Sequence, residues 1–247
     1  MMDTAEQFNR KANDYDKTFY SEYANMSKDG LEKVTRLNYS LNLISKIIEN
    51  KETVNILDYG CGTGIVIKNI IKEIPTLKKI RYTGYDISEK MIDKARENCF
   101  EKKDNISIKF TNNDSDIELN KCGQFNIVLS LGVVGYQANH KKFIQTLLDA
   151  TAINGNCIFT IGNGDSSIRI LFDKIKEYRH GKNKTIFKST NLSIINSIAS
   201  ENAADITDIQ PIRSYLFNSE ICDKKIYKTN TYISNQLIEN YIINIKK

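Results

Sequence analysis

An α/β fold built on a parallel, doubly wound sheet is the architecture this sequence predicts, and three observations predict it. Five short apolar runs of strand length alternate with stretches of helical periodicity between residues 54 and 161. The central runs are near-continuous in Val, Ile, Leu and Phe, as strands covered on both faces are. The first of them runs straight into a glycine cluster that opens a helix.

The elements follow in order. Phe8, Ala12, Tyr15 and Phe19 fall at spacings of four, three and four, one apolar stripe of a helix. Leu31, Val34, Leu37, Leu41, Ile44 and Ile48 form the stripe of a second. Val54–Tyr59 is a strand, followed by a helix over 65–74 that Pro75 stops. Ile80–Tyr85 is the next strand, ending at Asp86, with Ser88 as N-cap of a helix that carries Met91, Ile92 and Ala95. Ile106–Phe110 and Phe125–Leu129 are further strands. A helix over 141–152 is expected to stop at Asn154-Gly155, before the strand Cys157–Ile161. The last third is less regular, with a helix at 192–199 and strands at 206–212 and 241–245. No repeat or low-complexity linker divides the chain, so one domain is expected over 1–247: N-terminal helices to 50, a core over 51–165, and a C-terminal elaboration from 166.

Composition bounds the function. The 247 residues, 40% hydrophobic, suffice for one packed α/β domain. The longest apolar stretch, Phe125–Tyr136, is interrupted by Asn126 and Ser130 and is too short to cross a bilayer. The first ten residues carry acids and no apolar run, so no secretory signal is expected. Five cysteines at 61, 99, 122, 157 and 222 form no C-x-x-C pair, which points to reduced thiols and a cytoplasmic protein. The net charge of +5 tilts toward an acidic partner but is no nucleic-acid footprint. The basic stretches 179–184 and 224–228 read as solvated faces, with contact to an acidic substrate as the alternative.

The informative segment is Ile56-Leu57-Asp58-Tyr59-Gly60-Cys61-Gly62-Thr63-Gly64. Glycines at 60 and 62 let backbone approach a ligand, and the helix start offers free N–H groups. By itself such a turn holds a dinucleotide, holds another nucleotide, or merely packs strand against helix. The flanking acids narrow this. Asp58 at the strand end gains nothing from a pyrophosphate, and a dinucleotide site places its third glycine at 65, which here is Ile65. A ligand bearing an ammonium group suits Asp58 better. Asp86, 22 residues after Gly64 and at the end of the next strand, is placed to accept both hydroxyls of a ribose. A ribosyl ligand with a cationic amino-acid part is S-adenosylmethionine.

The segments Val54–Gly64 and Tyr82–Arg96 resemble those of the class I S-adenosylmethionine-dependent methyltransferases, in particular the small-molecule branch, over roughly residues 5–215. The resemblance implies a Rossmann-like, mostly parallel seven-stranded sheet with helices on both faces and N-terminal lid helices. It implies S-adenosylmethionine as cofactor, S-adenosylhomocysteine as product, and the following contacts. Asp58, Gly60, Cys61, Gly62 and Gly64 hold the methionine part; Asp86 holds the ribose; Ile87 and Met91 face the adenine. Asp114 meets the adenine amino group, with Asn113 its rival and Ser115 beside them. Leu131 and Gly132 line the transferable methyl, and Tyr15 reaches the cofactor carboxylate from the lid. Structural readings stand beside these: Tyr15 and Met91 as core, Asp114 as a turn residue, Cys61 as a small filler.

Methyl transfer from a sulfonium is an in-line displacement that needs alignment more than a catalytic motif. The base- and amide-methylating branch uses a double proline after the fourth strand. Here that place reads Ser130-Leu131-Gly132-Val133, and the two prolines stand at 75 and 211. A Pro-Cys nucleophile is missing as well, and Asp149 with Asp165 does not assemble a metal site, so none is expected. The expected reaction is methylation of O or N of a small-molecule metabolite, with the net charge tilting toward an acidic acceptor. RNA or protein methylation and non-catalytic cofactor binding are the alternatives, and a nicotinamide dehydrogenase fits Asp58 poorly. Tyr136, His140 and His180 are candidate catalytic residues, and Tyr20, Tyr136 and Arg169 candidate acceptor contacts.

Overall fold

The computed structural model describes residues 4–20, 28–49, 51–73, 78–99, 103–117, 123–180, 188–213 and 238–247. In chain order the helices are α1 (Thr4–Lys11), α2 (Tyr15–Phe19), α3 (Lys28–Glu49), α4 (Ile65–Glu73), α5 (Glu89–Asn98), α6 (His140–Ala150), α7 (Ser167–His180) and α8 (Leu192–Glu201). The strands are β1 (Thr53–Tyr59), β2 (Lys79–Tyr85), β3 (Ile106–Thr111), β4 (Phe125–Ser130), β5 (Thr151–Asn163), β6 (Ser189–Thr190), β7 (Asp205–Arg213) and β8 (Ile238–Lys246).

They form one sheet in the order β3-β2-β1-β4-β5-β8-β7, with the two-residue β6 added beside β5. The pairs from β3 to β5 are parallel. β8 is antiparallel to both β5 and β7. The strand order reverses between β1 and β4, which opens a crevice at their carboxyl ends, where doubly wound sheets bind ligands.

Successive strand residues feed opposite cores. Ile56 packs with Leu41, Ile44, Ile67 and Ile70 of α3 and α4. Leu57 packs with Leu147, Leu148, Ile195 and Ile198 of α6 and α8. This two-sided burial is why β1 reads as a continuous apolar run. Each such fully buried Ile or Leu contributes about 1.5–3 kcal/mol.

Some expectations change. The N-terminal stripe is not one helix: a 3-10 turn over Ala12–Asp14 separates α1 from α2. Asn13 and Asp14 are poor helix formers, and Asp14 leaves helical geometry with ψ at 5°. The helix before β5 ends at Ala150, not at Asn154-Gly155. Thr151 turns extended, its hydroxyl donating to the Leu147 carbonyl at 2.8 Å, and it pairs with Phe125. Asn154, at φ 62°, instead lies in an irregularity of β5 and donates its N–H to Lys247 at 2.6 Å. The 14-residue α7 and the short β6 carried no clear periodic signal. Cys61, Cys99 and Cys157 are free thiols, and Cys122 and Cys222 lie outside the described residues. Among the described residues, no helix is long and apolar enough to cross a membrane.

Candidate active site

The glycine loop follows β1 directly and is tied to the end of β2, since Gly60 N–H and Cys61 N–H both donate to the Tyr85 carbonyl at 2.7 and 2.8 Å. Gly60 sits at φ +84°, and a Cβ there would lie 2.2 Å from Val133 Cγ2, so only glycine fits. Gly62, at φ +54°, is the opposite case. A Cβ there meets nothing within 4 Å, so this backbone faces open space that a ligand can fill.

That space is a pocket of about 430 Å³, counting its open mouth, walled by the loop, Asp58, Arg36, Tyr15, Tyr20 and Leu131 among others. Asp58 is 1% exposed and accepts the Tyr82 hydroxyl at 2.6 Å. Burial pushes its carboxyl up to about 7, against the pull of the Tyr82 hydrogen bond and the Arg36 charge. Arg36 projects from α3, 8% exposed, with Nη1 2.6 Å from where a Cβ on Gly132 would stand. Its guanidinium donates to the Tyr20 phenol oxygen. One end of the pocket therefore offers a carboxylate and a guanidinium side by side, complementary to the ammonium and carboxylate of a free amino acid.

Asp86, at the carboxyl end of β2, stands next to the pocket wall and not in it. Its Oδ2 accepts Gly62 N–H and its Oδ1 accepts Ser88 N–H, both at 2.9 Å. Burial raises it to about 6 despite those two donors. A carboxylate has about four lone-pair sites, so two acceptor positions are left for a diol. Ile87, next to it, is 48% exposed, an apolar platform at the crevice edge. Met91 is fully buried in α5, whose N-cap is Ser88 as expected. Between the rivals at 113 and 114 the geometry separates roles. Asn113 caps a 3-10 turn by accepting Ser115 N–H at 3.1 Å. Asp114 hydrogen-bonds the phenols of Tyr59 and Tyr85, whose rings lie 4.6 Å apart.

Leu131 also lines the pocket; Tyr136, outside its wall, meets Phe8 of α1 edge-on at 5.6 Å and lies within electrostatic range of Tyr15. Burial pushes the Tyr15 and Tyr20 phenols up, so both stay protonated. It also pushes up the Cys61 thiol, in keeping with a packing role. His140 is not in the pocket wall; its Nδ1 pairs with Thr190 Oγ1 at 3.0 Å, joining α6 to β6, and burial beside Lys188 lowers its pKa. Arg169 is also outside that wall, buried against β8 with Nη1 3.4 Å from Asn240 Oδ1. His180 ends α7, and its side chain lies outside the described residues. Among the described residues no three His, Cys, Asp or Glu side chains group as a metal site.

Arg36 is the site residue that sequence reasoning missed. It sits beside Leu37 of the apolar stripe and reads as a solvent-flank charge, and only its four-residue spacing from the small Ser40 hinted otherwise. Asn9 and Asp16 were missed as well. They anchor the N-terminal segment to Ser88 and to Thr63 with Asn98.

A Rossmann-like sheet in this order, with a glycine loop flanked by acids at the ends of β1 and β2, defines the class I methyltransferase architecture. Residues 32–200 match the methyltransferase domain family, and the chain belongs to it. A ubiquinone biosynthesis O-methyltransferase of Rickettsia bellii is 25% identical over 143 residues, 58% of this chain and 56% of that protein. A malonyl-[acyl-carrier protein] O-methyltransferase of Bacillus cereus is 25% identical over 169 residues, 67% of this chain and 57% of that one. The match thus spans little more than half the length of either relative. Among solved structures, the mycolic acid cyclopropane synthase CmaA1 complexed with SAH and CTAB superposes with a TM-score of 0.67 at 10% identity, covering 98% of this chain and 97% of that one. Magnesium protoporphyrin IX methyltransferase from Synechocystis PCC 6803 with bound SAH gives 0.64 at 13% identity, covering 98% and 97%. At such identities these likenesses establish the fold.

Proposed function

We propose that the protein transfers a methyl group from S-adenosylmethionine to an oxygen or nitrogen of a small-molecule acceptor. The observation that carries this reading is the pairing of Asp58 and Arg36 in the pocket wall, at one end of the crevice, with Asp86, bonded to Gly62 of that wall, at the other. An amino-acid zwitterion and a ribose diol on one ligand match those two ends, and a pyrophosphate would meet Asp58 unfavourably. In this reading Asp58 holds the ammonium group and Arg36 and Tyr15 the carboxylate within the pocket, while beyond its wall Asp86 holds the ribose hydroxyls and Asp114 the adenine amino group.

The bound cofactor supplies an electrophilic methyl on a good leaving group. The protein's part is to hold the acceptor atom in line and to keep water out. Leu131 and Tyr136, with Phe8 and Tyr15 from the N-terminal segment, form an apolar and aromatic rim suited to that exclusion. Burial keeps the phenols of Tyr15 and Tyr20 protonated, which speaks against them as bases, and an acceptor already ionised near neutral pH, such as a carboxylic acid, needs none. The two O-methyltransferase relatives support an oxygen acceptor.

The test is incubation with S-adenosylmethionine and a panel of phenols, carboxylic acids and amines, reading S-adenosylhomocysteine release. Turnover with one of these classes is expected. Tight cofactor binding without turnover across the panel would instead favour a non-catalytic cofactor-binding protein.

A further inference from the structure

Three sets of contacts made by the segment holding α1 and α2 bracket the crevice. Asn9 Oδ1 accepts the Ser88 hydroxyl at 2.7 Å and Lys90 N–H at 3.2 Å, at the start of α5 and two residues beyond Asp86. Phe8 lies edge-on to Tyr136 beyond the end of β4. Asp16 uses both carboxylate oxygens. Oδ1 accepts the Thr63 hydroxyl at 2.5 Å, and Oδ2 accepts Asn98 Nδ2 at 2.9 Å, while that amide also donates to the Thr63 carbonyl at 3.0 Å. Thr63 stands between Gly62 and Gly64 and is 2% exposed, so the side chain leaving the glycine loop is the one that Asp16 grips. Tyr15, in the pocket wall, is the residue immediately before it.

We infer that Asp16 is a positioning residue: with Asn98 it clamps the N-terminal segment to the glycine loop and so sets Tyr15 across the cofactor pocket. The inference rests on the proposed cofactor reading for Tyr15, but the clamp itself is a matter of hydrogen bonds among protein groups. The loop that Asp16 grips is the loop a cofactor lies on, so docking of the segment and cofactor binding bias the same element. By linkage each then strengthens the other. Tyr15 is in the pocket wall, so loosening the clamp removes a contact from a bound ligand, and such losses show mostly in the rate of release.

Asp16→Ala and Asn98→Ala test this from the two sides of the clamp, Asn98 lying outside the pocket wall, with Tyr15→Phe for comparison. Stopped-flow release of S-adenosylhomocysteine and amide hydrogen exchange over residues 4–20 are the two readouts. Losing a hydrogen bond to a charged group amounts to roughly 10- to 100-fold in an equilibrium or rate constant. Asp16→Ala and Asn98→Ala are expected to speed release by about that factor and to lose exchange protection over 4–20, in the ligand-free protein as well. Tyr15→Phe is expected to speed release with that protection intact. Wild-type release and wild-type protection in both clamp variants would overturn the inference. Absence of binding to the wild type would overturn the cofactor reading instead, while the exchange measurement still judges the clamp.

Discussion

Cofactor affinity should fall steeply as the pH drops through neutrality, because Asp58 must be ionised to receive an ammonium group. Burial raises its pKa from the ordinary 3.8 to about 7, and the groups facing it are the Tyr82 hydroxyl, Asp86 and Arg36. If only the carboxylate form binds, the apparent dissociation constant scales as one plus the ratio of protonated to ionised Asp58. Between pH 7.5 and 5.5 that factor grows about 25-fold, and protonation of Asp86, raised to about 6, steepens it at the acid end. The stability of the unliganded protein runs the other way. Below about pH 4 the carboxyl is protonated in both folded and unfolded chains. As the pH rises toward 7, the unfolded chain releases its proton first. Folding therefore loses on the order of 4 kcal/mol from this group across that window. The assay is calorimetric titration of S-adenosylhomocysteine at half-unit steps of pH, alongside thermal melts of the free protein, for wild type and Asp58→Asn. Affinity that falls on acidification in the wild type, with a flatter and weaker profile in Asp58→Asn, is expected. A wild-type affinity unchanged from pH 7.5 to 5.5 would refute the pairing of Asp58 with an ammonium group.

Two further outcomes follow from the same geometry. Arg36→Met should weaken S-adenosylhomocysteine by roughly 10- to 100-fold, the loss of a charge-assisted contact. It should leave 5′-methylthioadenosine, which lacks the amino-acid carboxylate, nearly unchanged; equal losses for both ligands, measured by titration, would count against the carboxylate role. Gly60→Ala should destabilise the fold by several kcal/mol through its clash with Val133, whereas Gly62→Ala should cost the free protein only about 1 kcal/mol of backbone strain yet abolish cofactor binding. Denaturant melts and titration together check that contrast.

Much of the sheet was legible because β1 to β5 are buried on both faces or nearly so, and such strands leave continuous apolar runs bounded by turn residues. Asp58, the glycines and Asp86 were legible for a different reason: costly residue types at strand ends need a purpose. What the sequence hid depends on packing between distant segments. Arg36 is a charge on a helix flank until α3 is laid against the sheet beside Gly132. Asp16 and Asn9 are ordinary polar residues until Thr63, Asn98 and Ser88 meet them. The break of the N-terminal stripe turns on a 3-10 turn of three residues, and the early end of α6 turns on Thr151 pairing with β4, neither of which periodicity registers.

On the proposed reading, this crevice binds a ribosyl amino-acid cofactor through the acids at the ends of β1 and β2. Titration of S-adenosylhomocysteine and, separately, of NAD into wild type and Asp86→Ala tests it most directly. The wild type is expected to bind S-adenosylhomocysteine and not NAD, and Asp86→Ala to lose at least tenfold in affinity, the loss that removal of hydrogen bonds to a charged group brings. Equal affinity in both proteins, or a wild type that prefers NAD, would contradict it.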